Sequence, residues 1–598
     1  MLSTSENQLF LPPQPGSSPQ YNFLLMKKLL VFFSAILTGL MAYPQQVSPR
    51  TYCNPINIDY TYMVYNSHND ISYRSGADPA VVRFRNEYYM FVTRSMGYWH
   101  SKDLLNWQFI TPQKWYFEGS NAPAAFNYKD SVLYVAGNPS GSMSILYTDD
   151  PKKGDWKAVP SILNNLQDPA LFIDDDGKAY MYWGSSNVFP IRVRELDKSK
   201  RFKPSPTVHE LFKLDGDHHG WERFGENHSD TVLKGYMEGP WMTKYNNRYY
   251  LQYAAPGTEF NVYGDGVYMG NSPLGPFEYA PNNPVFYKPG GFMNGAGHGS
   301  LVKGPYGRYW HFGTAAVSVN VNWERRISMF PAFFDSDGLL YGDMYFGDYP
   351  HYAPSEKEKN GAFTGWMLLS YKKPVKSSGS AEGYTAENML DENVKTFWLA
   401  PKNDDNQWFE IDLLNQYTIN AIQINYHDHK ADLYGKISGL RHRYIVEGSK
   451  DGKAWEIIAD KSENFADVPN DYLELESPLT FRYIRYKNIS VPGPNLAISG
   501  FRVFGKGSGK SPVMVKQVKF ERQSDRRDIF ISWQKVPGAI GYNILWGIAP
   551  DKMYNSWLVY DKSELLMKSL SVDQSYYFSI EAFSENGISE RTRPVLVK

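Results

Sequence analysis

Five stretches of the chain repeat one order of polar and hydrophobic positions. Each begins with a small or acidic residue and proline (glycine in the fifth), then has four or five apolar residues, a polar turn and a run rich in Tyr and Trp. They are ADPAVVRFRNEYYMFVT (77–93), NAPAAFNYKDSVLYVAG (121–137), QDPALFIDDDGKAYMYWG (167–184), EGPWMTKYNNRYYLQYA (238–254) and GHGSLVKGPYGRYWHFG (297–313). Two short apolar runs around a polar turn predict a strand–turn–strand unit. Five such units, about 45 to 70 residues apart, predict a five-bladed β-propeller with one sheet per repeat.

The residues between the repeats predict the outer strands of the same sheets. Each of these segments pairs a β-type run with a turn rich in Asp, Gly, Pro or Lys; they are 98–110, 145–159, 193–205, 267–280 and 327–341. Hardly any stretch before residue 350 has apolar residues at helical spacing over about twelve positions. We therefore predict an all-β fold and assign residues 47–354 to the propeller.

The pattern changes after HYAP (351–354). The runs QWFEIDLLNQYTINAIQINY (407–426) and RYIVEGSKDGKAWEII (443–458) follow in a motif order that resembles the coagulation factor 5/8 C-terminal, or discoidin-like, domain. This resemblance implies a β-sandwich over residues 355–505, of a type that commonly holds carbohydrate or lipid headgroups. The sequence leaves open whether it binds a glycan here or braces the propeller.

A second β-sandwich is predicted at the end of the chain. The segment GKGSGKSP (505–512) has the composition of a flexible linker. Residues 512–598 resemble a fibronectin type III module, because Trp533 lies in an early strand and Tyr577 in a late one.

The N-terminus has the pattern of a secretory signal peptide. Met26-Lys27-Lys28 precedes the apolar run LLVFFSAILTGLMA, which ends in a small residue at Ala42. This run is too short to predict an integral membrane protein. We assign residues 1–46 to an extension and signal peptide, and expect secretion across the inner membrane to the periplasm or cell surface of a bacterium. The single cysteine, Cys53, forms no internal disulfide, and a lipid anchor there would require it directly after the apolar run.

Composition excludes one class of function and leaves another open. The formal net charge is −1 with no long basic run, so we expect no nucleic-acid partner. Aromatic residues make up 16% of the chain; they stack well on sugar rings, but β-rich folds favour them too. We expect a monomer.

Candidate chemistry lies at the start of each repeat. The residue pairs there are Ala77-Asp78, Asn121-Ala122, Gln167-Asp168, Glu238-Gly239 and Gly297-His298. In a propeller these positions surround the central axis, so three carboxylates should meet within roughly 5–10 Å, the separation found in glycosidase pairs. Asp-Pro is also a common turn, but Ala122 and His298 indicate that this turn requires no acid. Crowding should raise the pKa of at least one carboxyl, which favours a hydrolase with one protonated acid and one ionised base.

These motifs resemble those of glycoside hydrolase family 43, whose members are inverting five-bladed propeller enzymes. The resemblance covers residues from about 52 to 350. It implies that Asp78 in SGADPAVV is the general base, that Asp168 in LQDPALF tunes and orients the acid, and that Glu238 in YMEGPWM is the general acid.

Further residues follow from the same resemblance. His298 in GAGHGSLV corresponds to an axial histidine that often approaches a central ion or water, so it is a candidate substrate or water-mediated metal ligand; a packed tunnel histidine is the alternative. Arg325 in NWERRI corresponds to an arginine that steadies the second aspartate, and Arg326 competes for that role because alternation points only one of them inward. Trp99 and Trp241 are candidate sugar platforms, with Trp115 and Phe260 as further aromatic candidates.

One segment departs from the family pattern. The insertion GDHHGWERFGENHSDTV (216–232) precedes Glu238 and is rich in His and charge. We expect it to shape the rim of the pocket, and its spacing fits no trusted zinc pattern.

The predicted function is therefore an inverting, exo-acting glycosidase of plant-type oligo- or polysaccharides, similar to arabinofuranosidases, xylosidases or galactosidases and galactofuranosidases. It should need no cofactor, although a structural cation such as calcium at the axis is allowed. The alternatives are a carbohydrate-binding protein without activity and a retaining glycosidase on a related propeller.

Overall fold

The computed structural model describes residues 50–63, 71–114, 120–138, 142–164, 166–317 and 323–598. The predicted signal peptide, residues 1–46, lies outside the described residues, as does Trp115. The described chain is all-β, as the sequence predicts: no α-helix occurs in these ranges, and the helical turns are 3₁₀ turns of three or four residues. None of the described helices is long and apolar enough to cross a membrane.

The predicted repeats form antiparallel sheets. Within the described parts of residues 80–342 there are five of them, in chain order. Their strands are Ala80–Phe84, Glu87–Phe91, Tyr98–Ser101 and Trp107–Ile110 in the first; Asn121–Tyr128, Val132–Asn138, Ser142–Thr148 and Lys157–Asn164 in the second; Ala170–Ile173, Ala179–Trp183, Ile191–Asp197, Lys203–Pro204 and His209–Phe212 in the third; Glu238–Tyr245, Arg248–Ala255, Gly264–Gly270, Phe277–Tyr279 and Phe286–Tyr287 in the fourth; and Asn294–Lys303, Tyr309–Ala316, Arg325–Phe334 and Leu340–Gly342 in the fifth. The first strands of the first four sheets each lie inside one predicted repeat, and that of the fifth, Asn294–Lys303, begins three residues before its repeat (297–313).

Buried hydrophobic residues join these sheets in a closed cycle. Each sheet shares one apolar cluster with the next, and the fifth shares one with the first. Representative pairs, taken in order around the cycle, are Val82 with Val135, Tyr134 with Met181, Phe172 with Tyr249, Met269 with Phe330, and Phe312 with Met90. The first strands also contact one another in this order, fifth to first included. Both faces of each sheet are therefore buried, and all five first strands surround one common centre.

The second part of the chain contains a larger sheet. Its eight strands, counted over the described residues, are Met367–Leu368, Val375–Ser377, Trp398–Leu399, Trp408–Tyr426, Arg443–Ser449, Glu456–Asp460, Asn470–Ser490 and Ala497–Lys506. Their buried core includes Trp398, Phe409, Tyr444 and Phe501. This sheet therefore has an apolar core of its own.

Residues 512–598, called the C-terminal module below, form two sheets over one core. One sheet contains Lys519–Arg522, Ile529–Ser532 and Glu564–Met567, and the other contains Gly541–Gly547, Asn555–Tyr560, Tyr576–Ser584, Gly587–Ile588 and Val595–Val597. Trp533 is buried in this core, directly after the early strand in which the sequence placed it. Tyr577 lies in the predicted late strand.

A network of buried ion pairs joins Arg74 and the fifth sheet to the part of the protein that contains the eight-stranded sheet. Arg74, which is fully buried, places Nε 2.9 Å from Asp428 Oδ2 and Nη1 2.6 Å from Asp467 Oδ2. Arg326, from the fifth sheet, also contacts Asp428 at 3.3 Å. Burial would raise the pKa of Asp428, but Arg74 and Arg326 outweigh it and lower this pKa to about 2. Asp428 is therefore ionised and fully compensated.

Candidate active site

The second residues of the five repeats share an unusual backbone conformation. Asp78, Ala122, Asp168, Gly239 and His298 have φ of 56°, 43°, 50°, 63° and 47°, all in the left-handed region. This region costs a non-glycine residue about 1–2 kcal/mol, and such strain clusters where a protein needs a particular side-chain direction. The repeat thus encodes one backbone kink, which turns the side chain of four of these residues toward the common centre.

Glycine is required at the fourth of these positions. A Cβ on Gly239 would lie 2.6 Å from the imidazole ring of His298, closer than real Cβ contacts allow. The carboxylate of the fourth sheet is accordingly supplied one residue earlier, by Glu238. The Glu-Gly-Pro sequence therefore places an acid and the ring of His298 side by side.

These residues line one cavity of about 540 Å³, a size typical of small-molecule sites. Asp78, Ala122, Asp168, Glu238 and His298 all contribute to its wall. The other lining residues are Met63, Tyr73, Thr93, Arg94, Asn121, Gln167, Ser185, Phe224, Tyr236, Gly257, Thr258, Glu259, Trp323 and Arg325. The structure therefore brings the three predicted carboxylates to one cavity, together with the candidate binding residues His298 and Arg325.

Asp78 has surroundings that favour its ionised form. Its Oδ2 accepts a hydrogen bond of 2.5 Å from the Thr93 hydroxyl, and its Oδ1 lies 3.3 Å from His298 Nδ1 and 3.8 Å from Arg325 Nη1. Burial would raise the pKa of Asp78, but His298, Arg325 and the hydrogen bond from Thr93 outweigh it, so the pKa is lower than usual. At neutral pH this group is a carboxylate that can accept a proton.

Asp168 and Glu238 face the opposite conditions. One oxygen of each lies within 4.8 Å of the other and of an imidazole nitrogen of His298. Burial raises the pKa of Asp168 to about 6, with Asp78 adding to the shift and His298 opposing it. Burial and the charge of Asp168 raise the pKa of Glu238 to about 7, although the Tyr263 hydroxyl donates a 2.6 Å hydrogen bond to its Oε1. Two neighbouring carboxyl groups thus share the tendency to keep a proton.

His298 is held from behind by a carboxylate that sequence reasoning missed. The backbone N–H groups of His298 and Gly299 donate to Oδ1 and Oδ2 of Asp265, at 2.7 and 3.1 Å. Burial would lower the pKa of His298, but Asp78, Asp168 and Glu238 outweigh it and raise the pKa above its usual value. The three acids around the imidazole therefore favour its protonated, positively charged form.

The two neighbouring arginines point in opposite directions, as strand alternation requires. Arg325 lines the cavity and donates to the Thr258 hydroxyl at 3.1 Å, whereas Arg326 faces Asp428 and Glu324. The resemblance implied that Arg325 steadies the second aspartate. The guanidinium instead lies 3.8 Å from the first aspartate, Asp78, because it extends from the fifth sheet toward the start of the first sheet beside it.

The prediction of Trp99 and Trp241 as sugar platforms is corrected by their positions. Trp99 is fully buried between the first and fifth sheets, and its Nε1 donates to Asp59 at 2.7 Å. Trp241 packs against two apolar clusters between neighbouring sheets and is not part of the cavity wall. Both side chains therefore pack against apolar clusters, and neither lines the cavity. Phe260 likewise packs behind the wall, against Phe224.

Other cavity residues were not found from the sequence. Trp323 lies in the NWERRI motif and is 41% exposed on the cavity; its neighbour Arg325 was the signal that could have identified it. Thr93 and Tyr263 orient Asp78 and Glu238 by hydrogen bonds, but each is a single polar residue in an ordinary strand or loop. Nothing in a single sequence distinguishes them.

The insertion 216–232 contributes Phe224 to the cavity wall. Its histidines already have partners: His228 bonds the Arg223 carbonyl and the Tyr287 hydroxyl, and His219 stacks on Tyr279 at 3.7 Å. Among the described residues, the group of potential metal ligands that clusters is Asp168, Glu238 and His298 rather than this insertion.

Comparison with known proteins gives two family matches. Residues 67–340 match the model of glycosyl hydrolases family 43, and residues 374–528 match the F5/8 type C domain. The first match contains Asp78, Asp168, Glu238 and His298, together with the insertion. The second match extends past Lys506, where the eight-stranded sheet ends, into the first sheet of the C-terminal module.

Three curated relatives are similar to the first part of the chain. A xylan 1,3-beta-xylosidase of Vibrio is 29% identical over 39% of this chain and 46% of its own length. A non-reducing end alpha-L-arabinofuranosidase of Bacteroides ovatus is 26% identical over 51% and 55%. A beta-D-galactofuranosidase of Aspergillus niger is 25% identical over 34% and 64%. The chain thus spans about half to two thirds of the length of these relatives. A solved structure of a thermostable family-43 glycoside hydrolase is 19% identical, covering 51% of this chain and 99% of that chain at a TM-score of 0.41.

The contact between Gly239 and His298 yields a testable prediction. Gly239→Ala should lower the free energy of unfolding by about 2–4 kcal/mol, because it adds left-handed strain and a clash with the imidazole. Gly307→Ala is the matched control: its φ is 80° and nothing lies within 4 Å of its added Cβ, so it should cost only about 1–2 kcal/mol. Urea unfolding followed by tryptophan fluorescence measures both. Equal losses would contradict the proposed clash.

Proposed function

We propose, from the family 43 glycosyl hydrolase domain that residues 67–340 form, that this protein is an inverting glycosidase. The observation that carries the proposal is one cavity in which two carboxyl groups have opposite protonation. Asp78 has a lowered pKa, whereas Glu238 has a pKa raised to about 7. An inverting glycosidase requires this pair: an ionised base for water and a protonated acid for the leaving oxygen.

In the proposed reaction, the carboxyl group of Glu238 donates its proton to the glycosidic oxygen as the bond to the anomeric carbon breaks. A water molecule attacks that carbon from the opposite face, and Asp78 accepts the proton that this water loses. The products are a sugar with the inverted anomer and the free alcohol. Glu238 has then lost one proton, to the alcohol, and Asp78 has gained one, from the water. Exchange with solvent then restores both groups.

The remaining polar groups of the cavity favour an ionised Asp78 and a protonated Glu238. His298 and Arg325 hold Asp78 ionised, and Thr93 fixes its carboxylate with a 2.5 Å hydrogen bond. Asp168 raises the pKa of Glu238 by its charge. Its own Oδ2 is buried 4.0 Å from His298 Nδ1 and has no hydrogen-bond partner among the described residues.

We propose a finer architecture to match. The closed cycle of apolar clusters and of first-strand contacts supports a five-bladed β-propeller over residues 47–354. The separate cores of the next two parts support two β-sandwiches, discoidin-like over 355–505 and fibronectin type III-like over 512–598.

The proposed substrate is a non-reducing sugar unit of an oligo- or polysaccharide. The curated relatives named above act on xylosides, arabinofuranosides and galactofuranosides, so these three sugar classes define the panel to be tested. We further propose a secreted monomer in the periplasm or at the cell surface, on the signal-peptide pattern before Ala42.

We propose that no cofactor takes part. Asp168, Glu238 and His298 are close enough to share a cation, but calcium takes six to eight oxygen ligands. This group offers two carboxyl groups and one imidazole, and each has a partner in the proton-transfer scheme. This donor set supports proton transfer rather than direct binding of calcium, and the water-mediated ion at His298 that the resemblance allows stays a prediction.

The stereochemistry of the product tests the reaction class. We expect turnover of at least one methyl or 4-nitrophenyl glycoside among xylosides, arabinofuranosides and galactofuranosides, with the inverted anomer formed first. Proton NMR during the first minutes of hydrolysis measures this outcome. A first product with retained configuration would indicate a retaining mechanism instead, and no turnover on the whole panel would favour a protein that only binds carbohydrate.

The acid is tested by its dependence on the leaving group. Glu238→Gln should lower kcat/KM on methyl glycosides by about 10²- to 10⁴-fold, because the departing alkoxide then receives no proton. The loss should be smaller on 4-nitrophenyl glycosides, whose leaving group departs unprotonated. Glu259→Gln is the control, since Glu259 lines the same cavity but begins no sheet; it should affect both substrates equally. An equal loss on both substrates in Glu238→Gln would remove Glu238 from the acid role.

The coupling between Asp168 and Glu238 predicts a change in pH dependence. Glu238 acts protonated, so kcat/KM should fall as pH rises through its pKa of about 7. Asp168→Asn removes a charge that raises this pKa, and asparagine tolerates the left-handed backbone at that position. The alkaline limb of the kcat/KM profile should therefore move to lower pH. An unchanged limb would show that Asp168 does not tune the acid.

A further inference from the structure

The insertion 216–232 is bound to the C-terminal module through its backbone. The N–H of Gly220 donates to the Leu570 carbonyl at 2.9 Å, and the N–H of Val572 donates to the His218 carbonyl at 2.8 Å. A Cβ on Gly220 would lie 2.6 Å from the Lys568 carbonyl oxygen and 2.8 Å from that of Leu570. Only a glycine therefore allows this approach of two main chains.

Charged side chains strengthen the same contact. Arg223 places Nη2 2.5 Å from Asp528 Oδ1 and Nη1 3.3 Å from Asp525 Oδ2. Arg527 of the module donates from Nη1 to the Gly216 carbonyl at 2.7 Å. These groups are partly buried, so the ion pairs are screened less than pairs on an open surface.

The residue after Arg223 is Phe224, which lines the cavity. Its ring meets Phe260 edge to face at 4.6 Å, and Phe260 packs against the core of the C-terminal module. On the far side of Phe224, His228 bonds the Tyr287 hydroxyl at 2.8 Å, and Tyr287 packs against Trp557 of the module. Phe224 is thus held by the residues before and after it in the chain and by Phe260, all of which are connected by contacts to the C-terminal module.

We infer that Phe224 is a substrate-binding residue that packs on the apolar C–H face of the bound sugar, and that the C-terminal module positions it by holding the insertion. The inference rests on the proposed function and extends it, because it assigns the module, which lies outside both the family 43 match and the acid–base trio, a part in substrate recognition.

The physical basis is the flat apolar area of the ring. A phenyl ring buries apolar surface when a sugar packs on it and carries no group that transfers a proton. Such a contact is made equally with bound substrate and with the transition state, so losing it should raise KM and leave kcat nearly unchanged.

The first arm of the experiment tests the ring itself. On the best glycoside of the panel, Phe224→Ala should raise KM about ten-fold with kcat within two-fold. Phe465→Ala is the control, since Phe465 is 77% exposed on the eight-stranded part of the protein; its KM should equal that of the unchanged protein. An unchanged KM in Phe224→Ala overturns the inference.

The second arm tests the module. Gly220→Ala should raise KM about three- to ten-fold, because the two main chains must separate. Gly216→Ala should not, because its added Cβ would lie at ordinary contact distances, the shortest being 3.6 Å to Arg223 Cγ. Combined with Phe224→Ala, the Gly220 change should add no further increase in KM, since its effect passes through that ring. A full additional increase in the double variant overturns the positioning role. Should Gly220→Ala fail to fold, the pair Asp525→Asn with Asp528→Asn replaces it, with the same expected and contradicting results.

A binding measurement separates this inference from the proposed function. Calorimetry of methyl xyloside, arabinofuranoside and galactofuranoside in the Glu238→Gln background gives Kd without turnover, and Phe224→Ala should weaken the tightest by about ten-fold. Absence of turnover in the unchanged protein with this loss of binding would defeat the glycosidase proposal but support Phe224 as a sugar contact. Turnover with no change in Kd would leave the glycosidase standing and overturn the role of Phe224.

Discussion

Repulsion among three acids in one small cavity is the constraint on which the site depends. Asp78, Asp168 and Glu238 cannot all be ionised there at low cost, because burial removes the water that would screen them. His298 and Arg325 lie beside Asp78 and favour its ionised form, whereas Glu238, next to Asp168, has the highest pKa of the three, about 7. The position of the two basic side chains beside only one of the three acids thus gives the carboxyl groups of one cavity wall different pKa values.

The backbone makes this crowding reproducible. The second residue of each repeat has a left-handed backbone conformation, and in four of the five it directs a side chain toward the centre. The same conformation is present at Ala122, whose methyl group has no acid–base chemistry. The conformation therefore belongs to the repeat and not to the chemistry. Only the identity of the residue decides which sheets contribute an acid, a histidine or nothing.

The five sheets and the meeting of the three acids could be predicted from the sequence, because a repeat shows which residues occupy equivalent positions. Proline after Asp78 and Asp168, and after Glu238-Gly239, marks equivalent positions, and equivalent positions in a cycle of sheets must converge. The aromatic residues could not be assigned in the same way. Trp99 and Trp241 differ from Trp323 only in which face of a strand or loop they occupy, and that depends on packing between sheets far apart in sequence. The contact of Arg325 with Asp78 was missed for the same reason: it joins the last sheet to the first.

The buried ion network around Asp428 has a consequence for any shortened form of the protein. Removing the eight-stranded part would remove Asp428 and Asp467, the two carboxylates that contact Arg74, and would remove Asp428 from Arg326, which also contacts Glu324. Breaking such buried pairs from one side costs about 3–5 kcal/mol, and Arg326 adjoins Arg325 while Arg74 adjoins Tyr73, both in the cavity wall. The eight-stranded part therefore supplies buried counter-ions to the part that contains the cavity, and removing it would destabilise that part.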